Sequence, residues 1–316
     1  MEEIFNDALR NRSDKIIEYL RFNDVNVVDE KGQSLLHYAC LGASNEVVSI
    51  LITHGININI FNKDHETALF IAVRNKLLGI TKMLINNGAK TDIINNRGES
   101  LICIATLNSS TEIIHYLLYN FDFDLTTNNL NHENILFYAL KGRRQELFID
   151  LAKRQPELLE CHDYHNTNLL QLAIRFNLYD VIVFLLDKIS IYAVDNEKNN
   201  SLMYLARFAN SSITNLILKQ KPILETKNTS SETVYSLAKD NPFDTYHLFE
   251  DYHNTYDYIS YLRTYPLHVA ILNRDYDILN YYQFDINKKD IFGHSILDYA
   301  KIVNDENILK ILKNKN

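Results

Sequence analysis

Residues 161–165 read Cys-His-Asp-Tyr-His, which places a thiol, two imidazoles and a carboxylate within five positions. Such a set could ligate zinc, or activate a thiol nucleophile through an adjacent imidazole. The rest of the chain supports neither chemistry. No second pair of Cys or His stands at metal-ligand spacing, and there is no Gly-rich phosphate loop, Cys-x-x-Cys pair or nucleophile elbow. The expectation is a protein that is not an enzyme, with no catalytic residues, no metal and no cofactor. The three cysteines, Cys40, Cys103 and Cys161, are too sparse for a disulfide framework and suit a reducing, cytoplasmic compartment. Lys141-Gly142-Arg143-Arg144 is the basic cluster, and it stands alone.

The chain has 316 residues, of which 46% are hydrophobic, so it can bury a core. Its formal net charge of -8 disfavours nucleic acid and anionic lipid as partners, because both need a basic surface. There is no apolar run long enough to span a membrane, and the start Met1-Glu2-Glu3-Ile4 lacks a secretory signal pattern. Asn, Ile, Lys and Tyr are enriched, as an A/T-rich genome would produce, so abundance of Tyr alone carries no functional argument.

What must position any working residue is an internal repeat. The phrase Ser34-Leu-Leu-His-Tyr-Ala39 returns as TALFIA, SLICIA, NILFYA, NLLQLA, SLMYLA, TVYSLA, YPLHVA and SILDYA. The closing alanines are Ala39, Ala72, Ala105, Ala139, Ala173, Ala206, Ala238, Ala270 and Ala300, spaced by 30 to 34 residues. Glu3 to Ala8 forms a tenth, incomplete copy. Each phrase opens on a helix-capping residue: Ser34, Thr67, Ser100, Asn134, Asn168, Ser201, Thr233 and Ser295, with Tyr265-Pro266 as the exception. A large apolar residue and the Ala then share one helical face. A second apolar pattern follows, such as Val47, Val48, Ile50 and Leu51, and marks a second helix. One such helix pair cannot cover its own apolar face, so neighbours must stack.

The unit Asp29 to Ile60, with Asp29, Gly32, Leu36, His37, Ala39, Val47, Val48, Leu51, Gly55 and Asn59 at matching positions, resembles the ankyrin repeat. The resemblance implies an all-α solenoid of stacked helix-turn-helix units with hairpin-like links. It divides the chain into a capping repeat at 1–28, repeats at 29–240, an irregular Tyr-rich repeat or hinge at 241–264, and C-terminal repeats with a cap at 265–316. The family His stands only at His37 and His268. The hairpin glycine stands at Gly32, Gly98 and Gly293 and is replaced by His65, His132, Asn166, Asn199 and Ser231, which predicts distorted hairpins from about residue 120 onward. A shortened link is expected around Phe284 to Lys289. By register, 161–165 falls in a hairpin and Lys141 to Arg144 at a helix–helix turn.

The resemblance further implies a non-enzymatic scaffold for protein–protein interaction, with a partner protein on the concave face of the solenoid. Carried over by register, that face displays Lys63, Asp64, Glu66, Arg74 and Asn75 in one unit and equivalent residues in others. Arg and aromatic side chains dominate interface energetics, so the candidate partner-binding residues are Arg74, Arg97, Tyr164, His165, Arg175, Phe176 and Phe208. Degenerate arrays of this composition also suggest an effector of an intracellular microbe or virus, delivered to a host cell. Two rival readings are self-association through the tyrosines of 241–264 (Tyr246, Tyr252, Tyr256, Tyr258 and Tyr261) and an enzyme site hidden in that same stretch.

Overall fold

The structure is a computed structural model describing residues 2–281 and 285–314. Phe284, at the edge of the expected short link, lies outside the described residues, as does the side chain of Tyr256. Two compact units divide the chain at Arg144 and Gln145.

The first unit holds α1 (Glu2–Leu9), α2 (Ser13–Leu20), α3 (Leu35–Leu41), α4 (Asn45–Thr53), α5 (Ala68–Arg74), α6 (Leu78–Asn86), α7 (Leu101–Asn108), α8 (Thr111–Asn120) and α9 (Ile135–Lys141). Inner helices α1, α3, α5, α7 and α9 pack in succession, and outer helices α2, α4, α6 and α8 do the same. The second unit holds α10 (Gln145–Arg154), a 3-10 turn at Pro156–Glu160, α11 (Leu169–Arg175), α12 (Tyr179–Leu185), α13 (Ser201–Phe208), α14 (Ser211–Leu218) and α15 (Val234–Ala238). It continues through α16 (Tyr246–His253), α17 (Tyr256–Thr264), α18 (Pro266–Leu272), α19 (Tyr276–Tyr281), α20 (Ile296–Val303) and α21 (Glu306–Asn314). There the inner series is α11 on α13 on α15, then α18 on α20. No extended strand occurs among the described residues, only isolated bridges such as Val28 with Ser34.

The repeated alanine explains the packing. Every one, from Ala8 and Ala39 to Ala300, is buried. With only a methyl group there, adjacent inner helices can approach closely. In several units its carbonyl also accepts a hydrogen bond from the backbone N–H five positions on: Ala39 from Ser44, Ala72 from Leu77, Ala139 from Arg144, Ala173 from Leu178 and Ala270 from Asp275. Such bonds occupy carbonyls that the helix end leaves open. The contact is tightest at Gly42, where an added Cβ would stand 1.7 Å from the Leu9 carbonyl oxygen.

Each hairpin is organised by one Asp or Asn. Asp29, Asn62, Asn95, Asn129, Asp163, Asp195, Asn228 and Asp290 each accept, through one side-chain oxygen, the backbone N–H groups two and four residues on. The residue three positions on adopts positive φ: Gly32, His65, Gly98, His132, Asn166, Lys198, Ser231 and Gly293. These hairpins keep one geometry, contrary to the expected distortion beyond residue 120. The Asx acceptor fixes the turn, so the tip tolerates a non-glycine residue. In the 195–199 hairpin the tip is Lys198 and not Asn199. Correspondingly Asn200, not Ser201, caps α13, with its side chain accepting from Met203 N–H. One extra residue between tip and alanine causes the slip.

Helix caps otherwise fall where the phrase predicts them. Ser34, Ser100, Asn134, Asn168, Thr233 and Ser295 accept side-chain cap bonds, while Thr67 occupies the cap position without one. His37 completes a capping box. Its Nδ1 accepts the Ser34 N–H at 3.1 Å, so the ring is neutral and Nε2 donates to the Glu66 carbonyl at 3.0 Å. Burial drives its pKa below the ordinary 6.5. Gln171 performs the same two tasks, accepting from Asn168 N–H at 2.8 Å and donating to the Asn199 carbonyl at 2.9 Å.

The segment 241–264 is built differently. Pro242 lies between α15 and α16, and α17 occupies the place that a hairpin takes between other repeats. Tyrosine hydroxyls hold it. Tyr252 donates to the Pro222 carbonyl at 2.8 Å, Tyr258 accepts from Leu224 N–H at 2.8 Å, and Tyr261 donates to Asp290 Oδ2 at 2.8 Å.

Candidate partner-binding groove

In the second unit a groove of about 350 Å³ opens over the hairpins at 163–167 and 195–199 and the ends of α11 and α13. Each wall follows from the repeat. The hairpins are joined by the Asn196 N–H, which donates to the His165 carbonyl at 2.9 Å. Packing of α11 on α13 brings Arg175, the last residue of one helix, over Phe208, the last residue of the next, with the guanidinium carbon 5.5 Å from the ring centroid. Leu172, Met203 and Leu237 form the apolar part of its floor beside the equally buried Asp195 and Asn199, while Asp163, Glu197 and Arg207 are less buried.

The local carboxylates are engaged. Asp163 Oδ1 accepts from His165 and Thr167 N–H. Asp195 accepts through Oδ1 from Glu197 and Asn199 N–H and through Oδ2 from the Tyr204 hydroxyl at 3.0 Å. Burial, reinforced by the Asp195 charge, pushes Tyr204 up to about 12, so it stays protonated as a donor. Arg207 pairs with Glu232 at 3.2 Å.

His165, Arg175 and Phe208, all candidates from sequence, line this groove. Tyr164 stands beside it, exposed, its ring 5.7 Å edge-on from that of His165. Phe176 caps α11, half-buried, and does not line the groove. Arg74 and Arg97 belong to the first unit and are paired there. Arg74 Nη1 donates to Glu66 Oε2 at 2.9 Å, with its other terminal nitrogen on Oε1, and Arg97 Nε donates to Glu99 Oε2 at 2.8 Å. Glu66 itself is buried beneath Arg74, so it is not the displayed side chain that its register implied. Arg207 escaped the sequence reading because the one-residue slip at Lys198 moved the register, whereas Asp195, Met203 and Tyr204 stand at positions that the register did not count as displayed. Counting from the Asx residue instead of the alanine finds Arg207, twelve positions after Asp195, just as Arg74 follows Asn62.

At 161–165 the structure shows the start of a hairpin turn with Asp163 as its acceptor. Among the described residues no group of three or more His, Cys, Asp and Glu is placed to hold a metal ion. Cys40 and Cys103 are buried, and burial pushes Cys103 up to about 11 and Cys40 higher still, so both remain thiols at neutral pH. Lys141 of the basic cluster pairs with Glu133, and Arg144 donates to the Ser109 carbonyl. No helix among the described residues is long and apolar enough to cross a membrane.

The fold is thus a helical repeat array with hairpin links. Residues 5–95 match the family model described as ankyrin repeats (3 copies). Residues 5–95 thus carry ankyrin repeats, and helix pairs with the same Asx hairpins recur in both units. No curated protein matches the chain. Among solved structures, a chain of the complex described as Bd0816 predatory endopeptidase from Bdellovibrio bacteriovorus with immunity protein Bd3460 superposes with a TM-score of 0.53. It is 24% identical, and the match covers 60% of this chain and 98% of that one. That likeness is one of fold.

Proposed function

We propose that the chain is a non-enzymatic scaffold that binds a partner protein in the groove over residues 163–167 and 195–199. Ankyrin repeats imply protein–protein interaction, and the observation that carries this site is the Arg175–Phe208 stack rimming an apolar floor. Arg and aromatic anchors beside a dry pocket are where binding energy concentrates. Hairpin and inner-helix residues are held by the repeat itself, so little ordering is lost on binding. The sequence composition adds the finer reading of an effector that acts on a host protein.

The test is affinity capture from host-cell lysate with wild type beside an Arg175→Ala/Phe208→Ala double variant of unchanged helicity. Proteins retained by wild type and lost by the variant are expected. Equal recovery of every captured protein by both would reject the groove as the site.

A further inference from the structure

In four of the eight hairpin repeats a basic residue stands twelve positions after the Asx turn acceptor (Arg74, Lys141, Arg175 and Arg207), and the two in the first unit are each neutralised within their own repeat. Arg74 pairs with Glu66 and Lys141 with Glu133, each eight residues back and four after the acceptor. Arg175 occupies the same place in the repeat that begins at Asp163, but position four there is Thr167. The second carboxylate this geometry offers is position four of the following repeat, which Arg207 uses in Glu232. For Arg175 that position is Asn199. Both acids are therefore replaced by neutral residues at one repeat. Among the described residues no carboxylate pairs with Arg175, whose guanidinium lies exposed on the Phe208 ring above Leu172 and Met203.

Resting on the function proposed above, we infer that Arg175 is the acceptor for a carboxylate side chain of the partner, presented by an extended peptide with apolar residues on either side. The guanidinium offers a planar pair of donors that matches a carboxylate. Stacking on Phe208 holds that plane, and the apolar floor takes the flanking side chains. Of the carboxylates lining the groove, Asp195 is held at both oxygens by the Glu197 and Asn199 N–H groups and the Tyr204 hydroxyl, Asp163 accepts through Oδ1 from the His165 and Thr167 N–H groups, and Glu197 accepts from Asn199 Nδ2 at 3.3 Å.

The experiment is fluorescence anisotropy on the full chain with two labelled probes, an extended peptide carrying a Leu-Glu-Leu core and its Leu-Gln-Leu counterpart. The Glu probe is expected to bind about tenfold or more tightly than the Gln probe, in line with a charge-assisted hydrogen bond. Thr167→Glu, which restores the carboxylate seen in other repeats, should abolish that preference, and so should Arg175→Gln. Arg74→Gln should leave it unchanged. Equal binding of the two probes, binding of neither, or a preference that survives Thr167→Glu would overturn the inference. The capture result separates this from the wider reading. Partners lost by Arg175→Ala/Phe208→Ala but kept by Thr167→Glu would leave the groove standing and remove the carboxylate.

Discussion

The chain joins its repeats in two ways. At residues 29–33, 62–66, 95–99 and 129–133 the link is a hairpin whose turn is set by one Asx oxygen. Its neighbour docks through a backbone bond: Lys63 N–H to the Lys31 carbonyl, Asn96 to Asp64 and Leu130 to Arg97. Between α16 and α18 there is no such hairpin. A helix fills the place, and tyrosine hydroxyls bond to Pro222, Leu224 and Asp290. Backbone docking holds whatever side chains are present, so the hairpins survive loss of their glycines. Side-chain docking depends on named residues, and three tyrosines must be kept to maintain it.

The largest expected effect breaks the regular side. Gly42→Ala drives a methyl group into the Leu9 carbonyl, an encounter with backbone that cannot rotate away, and should cost about 3 kcal/mol or more in urea unfolding. Gly79→Ala, in α6 with open space around it, should instead gain about 0.5–1 kcal/mol. Next comes the turn acceptor. Asn95→Ala strands the N–H groups of Arg97 and Glu99 and should cost about 2 kcal/mol, and Asn228→Ala, which strands Ser230 and Glu232, should cost the same. A much smaller loss for Asn228 would show that hairpins in the second unit are held by something else. On the tyrosine side, Tyr261→Phe should cost about 1 kcal/mol, because Tyr299 still donates to the same Asp290 oxygen at 2.9 Å. The double change to Phe should exceed the sum of the two single costs, since it leaves a buried carboxylate oxygen bare.

The smallest effect is a pH term. His37 titrates below 6.5 in the folded chain because burial disfavours its cation, so its unfolded form binds the proton first. Stability is full above 6.5 and falls as pH drops through that value toward the folded pKa. Burial lowers His268 in the same way, so His37→Gln should reduce this slope without abolishing it, with little change at pH 8, because Gln171 already makes both bonds in another repeat. An unchanged slope in the variant would place its origin elsewhere.

The helix pairs were legible in sequence because an alanine buried between packed helices admits almost no substitute, and its spacing survives every other change. The hairpins were less so. Their organising residue alternates between Asp and Asn, and a turn tip that reads Gly, His, Asn, Lys or Ser offers no fixed letter. At Lys198 one inserted residue was enough to misplace both tip and cap. The family histidine looked lost at Gln171, although an amide can accept and donate at the same two points. Helix α17 was hidden because tyrosines satisfy a helix face and an interface equally well. In the groove, Arg175 and Phe208 were visible as residue types. Their stacking, and the neutral Thr167 and Asn199 beneath, required coordinates.

The hairpin tips carry an evolutionary consequence. A non-glycine residue with positive φ is strained by roughly 1 kcal/mol, and the chain accepts this at five tips. At His65 and Asn166 the side chain gives something back: His65 Nδ1 meets the Ile94 carbonyl at 2.9 Å and Asn166 Nδ2 donates to the Val194 carbonyl at 2.8 Å. Those contacts offset part of the strain, so replacing either residue with glycine would gain little. Lys198 and Ser231 show no such return, and a lineage or an engineer seeking a hardier molecule would find it there first.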